Sequence, residues 1–463
     1  MASTYLERSI SSTGNRQIMT FSAWIKRATA GATNCIFSTG TGAARDMILF
    51  ESDGKLQFSK YNGGYSYMLK TNRQFRDLFG WYHIVCVLNT PDTTADDRMK
   101  IYVNGVEETS FATRTNPTQD YNSNYNTSGN TQYLGQDSDG SFDFNGCMSH
   151  VHYVDGTAYT ASTFGEFDSN GVWTIKTSPT VTYGTNGFFL LKDNASVTDQ
   201  SGQGNNFSVG AGTLTKTEDN PSDVFATINP LFVNDDAATN ALTNGANTYT
   251  STTRGEWNNM TSTLGAVTGK YYWEVKYEQL INASTIYMAS EGVASDLAPA
   301  NSNLGEGSRS GYGYGWLCAN RNTTSNTRYL KTVAGTSTLT TDSNNTPVVA
   351  GDIVGVAWDA TNGKLWFHKN GTYIDDTSGN VGNPSSDANP YHTGMQTGIL
   401  YTPWSDVWQN ASGSLLIKSY NFGNGYFGTT VISSEGTNAS GIGKFEYDVP
   451  TGYTALSTKG LNE

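Results

Sequence analysis

Residues 99–108 read MKIYVNGVEE, and residues 364–374 read KLWFHKNGTYI. In both, apolar and polar side chains alternate, the alternation breaks at Asn-Gly, and a second short run follows. Period-two alternation marks a half-buried strand, and Asn-Gly between two such runs suits the type I′ corner of a hairpin. Met99, Ile101 and Val103 stand where Leu365, Phe367 and Lys369 stand later. A lysine at the register of Val103 predicts a more exposed second tip.

The rest of the chain extends that pattern. Short runs such as MTFSAWIKRA, DMILFESDGKLQFSKYNGG, WYHIVCVLN and FDFNGCMSHVHYVDG fill residues 19–160, and GKYYWEVKYEQ, STIYMASEGVA, GYGYGWLCAN, DIVGVAWDA, TGILYTPWSD and SLLIKSYNFG fill the second half. No window carries a capped 3.6-residue period. With 50 Gly and 27 Tyr among 463 residues, the expectation is an all-β chain of two tandem antiparallel sandwiches. The boundary is placed near residue 232, before the polar stretch NDDAATNALTNGANTYTS, giving domains 1–232 and 233–463.

Composition excludes several functions. A net charge of −13 with 28 basic residues does not make a nucleic-acid surface. No apolar run approaches the roughly 20 residues of a bilayer span, so no membrane insertion is expected. MASTYLERSISS lacks a basic leader followed by an apolar run, which implies synthesis in a cytoplasm. Cys35, Cys86, Cys147 and Cys318 form no CxxC pair; the first three lie in apolar runs and read as buried small hydrophobes.

Catalytic signals are weak. Glu274 and Glu278 share one face of WEVKYE, but residues four apart on a strand lie about 13 Å apart, too far for a retaining glycosidase pair at about 5 to 5.5 Å; they read as sheet-surface charges. His150 and His152 alternate on one strand. No GxSxG elbow is present, and GYGYG at 311–315 leads into a strand. Asp137, Asp139 and Asp143 in DSDGSFD are a candidate Ca²⁺ loop of hard oxygen ligands, the alternative being a plain β-turn; no cofactor is otherwise required. For stacking on a sugar the candidates are Tyr121 and Tyr125 in the Asn-rich loop 113–132, Tyr312, Tyr314, Trp404 and Trp408.

Four motifs carry a resemblance: Trp81-Tyr82-His83-Ile84-Val85, Lys100-Ile101-Tyr102-Val103-Asn104-Gly105, Tyr133-Leu134-Gly135, and Phe144 to Val151. Together they resemble the laminin-G and pentraxin-like group of concanavalin A-like lectin folds. The turn Asp199 to Asn206 looks like the D-x-S-G-x-G-N turn of that group but follows the other motifs, so either a later strand completes the sandwich or a second partial unit begins. Gly269 to Val275, Gly351 to Val356, Leu365 to Gly371, Asn421-Phe422-Gly423 and Pro450 to Tyr453 resemble the SPRY domain, another concanavalin A-like jelly roll.

The tandem, joined by TAYTASTFGEFDSNGVW, YGTNGFFL and TINPLF, is similar to large virion proteins of marine bacteriophages. That resemblance implies a non-enzymatic structural component of the particle. One form is a tail-fibre or surface adhesin binding host-cell polysaccharide; the other is a decoration protein whose sandwiches bind capsid, tail or fibre subunits. No heptad or β-helix period supplies a trimeric shaft, so any homo-oligomer would form through the sandwiches or a partner.

Overall fold

The computed structural model describes residues 4–42, 44–193, 196–234, 241–251, 257–280, 287–295, 313–320, 326–331, 337–342, 347–375, 379–409 and 416–462. Among these the regular structure is β-strand with short 3₁₀ turns and no α-helix. The chain divides into two compact units, one of Met1–Lys216 with Asn220–Ser222, the other of Thr217–Asp219 with Asp223–Glu463.

The first unit packs a six-stranded sheet against an eight-stranded one. The six run Phe188–Leu190, Gly146–Asp155, Ile18–Arg27, Tyr82–Asn89, Met99–Val103, Val106–Glu107. The eight run Phe111–Thr115, Tyr65–Gln74, Lys55–Tyr61, Ala44–Phe50, Asn34–Thr41, Thr131–Leu134, Tyr5–Ser9, Ser208–Ala211. All pairings within these two sheets are antiparallel, and alternate residues of both, among them Phe21, Ile84, Phe37, Ile48 and Phe58, interleave in one core. The turn at Asp199 lies between Phe188–Leu190, on the edge of one sheet, and Ser208–Ala211, on the edge of the other. A later strand on each edge therefore completes the first sandwich.

The second unit repeats the plan. One sheet runs Ile228–Asn234, Trp257–Ser262, Tyr401–Gln409, Tyr287–Ser295, Gly313–Asn320. The other runs Ala241–Thr243, Thr248–Ser251, Leu416–Asn421, Lys270–Gln279, Ile353–Asp359, Lys364–Lys369, Thr372–Tyr373, with Thr454–Ala455 parallel to Lys270–Gln279. Trp273, Val356, Trp316 and Val407 meet between the two sheets. The expected boundary at 232 falls inside the strand Ile228–Asn234. The second unit begins earlier because Ala226 N–H donates to Leu456 O at 2.9 Å and Thr458 N–H to Val224 O at 2.9 Å, joining its two ends, while Phe225 packs under Tyr272 and Tyr453.

The two Asn-Gly corners are built alike. Asn104 and Asn370 have φ of 47° and 51°, and Gly105 and Gly371 82° and 81°, as a type I′ turn requires. Each asparagine Oδ1 accepts from the N–H of the neighbouring strand, His83 at 2.8 Å and Ile353 at 2.8 Å. Val103 is buried, whereas Lys369 reaches the surface and pairs with Asp352 at 2.9 Å.

In both units the far face of the hairpin-bearing sheet is also covered. Phe164, Tyr183 and Trp173 lie over Val85, Val87 and Val154 in the first. Phe445, Val449 and Tyr453 lie over Tyr272, Ala357 and Trp366 in the second.

Candidate functional site

The rings expected to meet a sugar are mostly core rings. Tyr125 is fully buried and stacks on Phe37 with centroids 5.9 Å apart. The polar loop around it is tied inward by its hydrogen bonds: Asn124 Nδ2 donates to Ala44 O at 3.0 Å, the Asn124 backbone N–H to the Asp46 carboxylate at 2.7 Å, and Asn126 Nδ2 to Asn15 O at 2.6 Å. Tyr121 is half-buried, edge-on to Tyr67, with the Lys60 ammonium over its ring at 5.2 Å. Trp404 belongs to the strand Tyr401–Gln409 and packs against Phe232 and Ala294. Tyr314 is buried against Tyr401. Trp408 is half-buried on the same strand as Trp404, and Tyr312 lies outside the described residues. Burial thus removes Tyr125, Tyr314 and Trp404 from a stacking role.

The three aspartates of the acidic loop do not converge. Arg45 Nε lies 2.8 Å from Asp137 Oδ2 and Arg45 Nη1 2.6 Å from Asp139 Oδ2, while Asp143 Oδ1 accepts from Gln136 Nε2 at 2.8 Å. Gly140 N–H closes a turn on Asp137 O at 2.9 Å. Burial pushes the Asp137 carboxyl up to about 6, against the pull of Arg45. The arrangement is an arginine-braced β-turn, and among the described residues no group of three or more His, Cys, Asp or Glu side chains is poised to hold a metal ion.

Glu274 is not a surface charge. It is 0 % exposed and accepts from Glu446 N–H at 2.9 Å, Tyr447 N–H at 2.8 Å, Tyr272 Oη at 3.0 Å and Asn421 Nδ2 at 3.2 Å. Burial lifts its carboxyl to about 7 although these donors oppose the shift. Gly371 N–H donates to His368 Nδ1 at 3.1 Å, so Nε2 carries the proton toward Tyr272 Oη, 2.6 Å away, and Tyr272 donates onward to Glu274. Gly355, opposite His368, leaves room for the imidazole: a Cβ there would lie 1.8 Å from Nε2. Glu278 pairs with Lys276 at 3.3 Å. Glu274 therefore anchors the 446–447 segment.

The other histidines are likewise committed. Trp173 Nε1 donates to His83 Nδ1 at 3.0 Å and Ser22 Oγ lies 2.9 Å from His83 Nε2; burial pushes this imidazole down to about 3. His150 and His152 do not alternate regularly. The pairing slips between Ser149 and His152, His150 has φ of 48°, and His152 stacks on Phe189 with centroids 4.0 Å apart. His392 Nε2 donates to Gly315 O at 2.8 Å.

Two further constellations come together only through long-range pairing. Between the sheets of the second unit, Lys418 Nζ lies 2.8 Å from Glu291 Oε1, with the two side chains 0 % and 1 % exposed. Lys418 also donates to Ser405 Oγ at 2.7 Å and Asp406 O at 3.0 Å, and Tyr277 Oη donates to Glu291 at 2.8 Å. The second lies on the outer face of the first unit's eight-stranded sheet. There Arg45, Tyr61 and Tyr65 are direct cross-strand partners, so their side chains share that face. The Tyr61 and Tyr65 rings meet edge-on at 5.2 Å, and the Arg45 guanidinium lies 5.5 Å from the Tyr61 centroid. Tyr65 is 47 % exposed, and Phe142, at the end of the arginine-braced turn, is 39 % exposed.

No curated relative matches the chain. The SPRY domain of human HERC1 is similar at 14 % identity and a TM-score of 0.28, covering 42 % of this chain and 96 % of that one. A heptameric SAP-like pentraxin from Limulus polyphemus is similar at 21 % identity and a TM-score of 0.26, covering 34 % and 71 %. A protein from Bacteroides ovatus described as a putative carbohydrate binding protein is similar at 16 % identity and a TM-score of 0.29, covering 46 % of this chain and 59 % of that one. Residues 2–163, within the first unit, match a laminin-G family model described as the concanavalin A-like lectin/glucanases superfamily.

Proposed function

We propose that the chain binds carbohydrate through its first unit without cleaving it. One observation carries the reading: among the described residues the large exposed aromatics are Tyr65, Phe142 and Phe167, all in the unit whose residues match the lectin/glucanase family, while the exposed large hydrophobics of the second unit, such as Leu231, Val349 and Val431, are aliphatic. The absence of cleavage is supported by the commitment of Glu274 and the histidines to internal hydrogen bonds. The full-length chain should bind soluble polysaccharide while releasing no reducing ends. A steady release abolished by one carboxylate substitution would sink the non-catalytic reading.

The likeness to bacteriophage virion proteins supports a finer reading, an adhesin on a particle that meets host-surface polysaccharide, made in the host cytoplasm. Particles lacking the protein then assemble and fail to adsorb. A second reading, decoration of capsid or tail subunits, is favoured by the exposed aliphatic side chains of the second unit, which suit protein contacts better than sugars. Normal adsorption by particles lacking the protein would select it.

A further inference from the structure

We infer that the outer face of the first unit's eight-stranded sheet, from Tyr65 through Tyr61 and Arg45 to the 137–142 loop, holds an extended, uncharged polysaccharide chain. The inference rests on the glycan-binding reading above and gives it a location and a ligand class. Three features converge. The first is a rigid aromatic surface: Tyr65 stands exposed against Tyr61, and the Arg45 guanidinium lies 5.5 Å from the Tyr61 ring centroid. An aromatic ring presents a large apolar area at low conformational cost, which suits the C–H face of a sugar. The residues lie on adjacent strands, so the surface is preformed.

The second feature is Phe142. Its φ of 58° is in the left-handed region, where a bulky residue is a genuine outlier, and such outliers persist where surrounding structure enforces them, often at ligand contacts. Here the enforcement is visible, since Phe142 O accepts from Cys35 N–H at 2.6 Å, and the result is an exposed ring. Cys35 pairs with Leu49, four residues along the strand from Arg45. Measured along the strands, Phe142 thus lies about 13 Å from the row of Arg45, Tyr61 and Tyr65, and it is further displaced from Tyr65 across the strands between them, a span that takes several sugar units.

The third is charge. Arg45 is answered by Asp137 and Asp139, and Lys70 on the same face by Asp53 at 3.2 Å. Both of these cations are therefore already neutralised and do not recruit an anion, while the partly exposed Asp139 carboxylate offers an acceptor to hydroxyl groups.

The test is affinity electrophoresis of the full-length chain in gels containing dextran, mannan, xylan or arabinan. At least one gel retards the wild type. In that gel Tyr65→Ala and Phe142→Ala each weaken retardation tenfold or more, Tyr65→Phe retains it, and Phe167→Ala, an exposed aromatic elsewhere on the unit, leaves it unchanged. Wild-type retardation by the Tyr65→Ala/Phe142→Ala double variant overturns this location while glycan binding stands. Equal losses in Phe167→Ala or Tyr65→Phe also overturn it. A wild type retarded by none of the four polymers overturns both the location and the function.

Discussion

Lys418→Met separates a buried ion pair that holds the second sandwich from one that is merely present. Methionine matches the aliphatic stem of lysine, so little cavity forms and the change isolates the charge. What remains is the Glu291 carboxylate between two sheets, with the Tyr277 and Ser405 hydroxyls as its donors. Leaving one member of a buried pair uncompensated costs about 3–5 kcal/mol. In a unit of this size each kcal/mol moves Tm by about 2–4 °C, which places the expected drop near 10 °C. Calorimetry of the full chain reads it directly, with the first unit as internal reference.

The pH dependence has a definite sign. Burial already raises the Glu291 carboxyl, and Lys418 is the main influence lowering it, so the substitution raises it further. A carboxyl whose folded value is raised favours the fold in its protonated form; the deficit is therefore largest at neutral pH and shrinks as pH falls toward the ordinary glutamate value of 4.5. Adding Glu291→Gln removes the stranded charge and restores at least half the loss. A Tm change under about 2 °C for Lys418→Met, on the same scale, or a deficit that does not shrink between pH 7 and 5, would refute the reasoning.

Other expectations are simpler to read. Gly105→Ala brings a Cβ to 2.3 Å from the Trp173 ring at φ of 82°, and the strain destabilises the first unit by about 1–3 kcal/mol; a denaturation midpoint equal to wild type contradicts it. Glu274→Gln turns an amide NH₂ toward N–H donors and costs about 1–3 kcal/mol, with faster hydrogen exchange at Glu446 and Tyr447. Because burial raises Glu274 to about 7, the wild type loses stability relative to this variant as pH rises through 7, and the opposite trend would be decisive against it. The His83 imidazole, pushed down to about 3, stays neutral with its proton on Nε2. NMR should find no titration between pH 8 and 5, and stability that is full above the ordinary histidine value of 6.5 and declines below it.

Much of the fold was legible because it rests on local chemistry. Period-two alternation and Asn-Gly corners specify strands and hairpins within ten residues, and both hairpins formed with the expected backbone. The location of ligand contacts was less legible because burial is a long-range property. Tyr125 sits in an Asn-rich run that looks like a surface loop, yet those amides bond backbone and the ring turns inward. Trp404 reads as a candidate for stacking on a sugar, yet its strand turns it against Phe232 and Ala294. Glu274 looks like a sheet-surface charge until the segment at 446–447 folds over it. Arg45, Tyr61 and Tyr65 become neighbours only through register across three strands; the one local hint was a pair of tyrosines flanking Asn62-Gly63-Gly64.

The Asn-Gly corners also bear on how the protein ages. Asn-Gly is the dipeptide most open to attack of the following backbone nitrogen on the side-chain amide, because glycine offers no shielding. Here both side-chain carbonyls are held by strand N–H groups, and the Asn370 amide also donates to Asp352 at 2.7 Å. Cyclisation must first break those bonds, so the rate of deamidation at Asn104 and Asn370 follows the opening of each hairpin and becomes a slow clock of local unfolding in each unit.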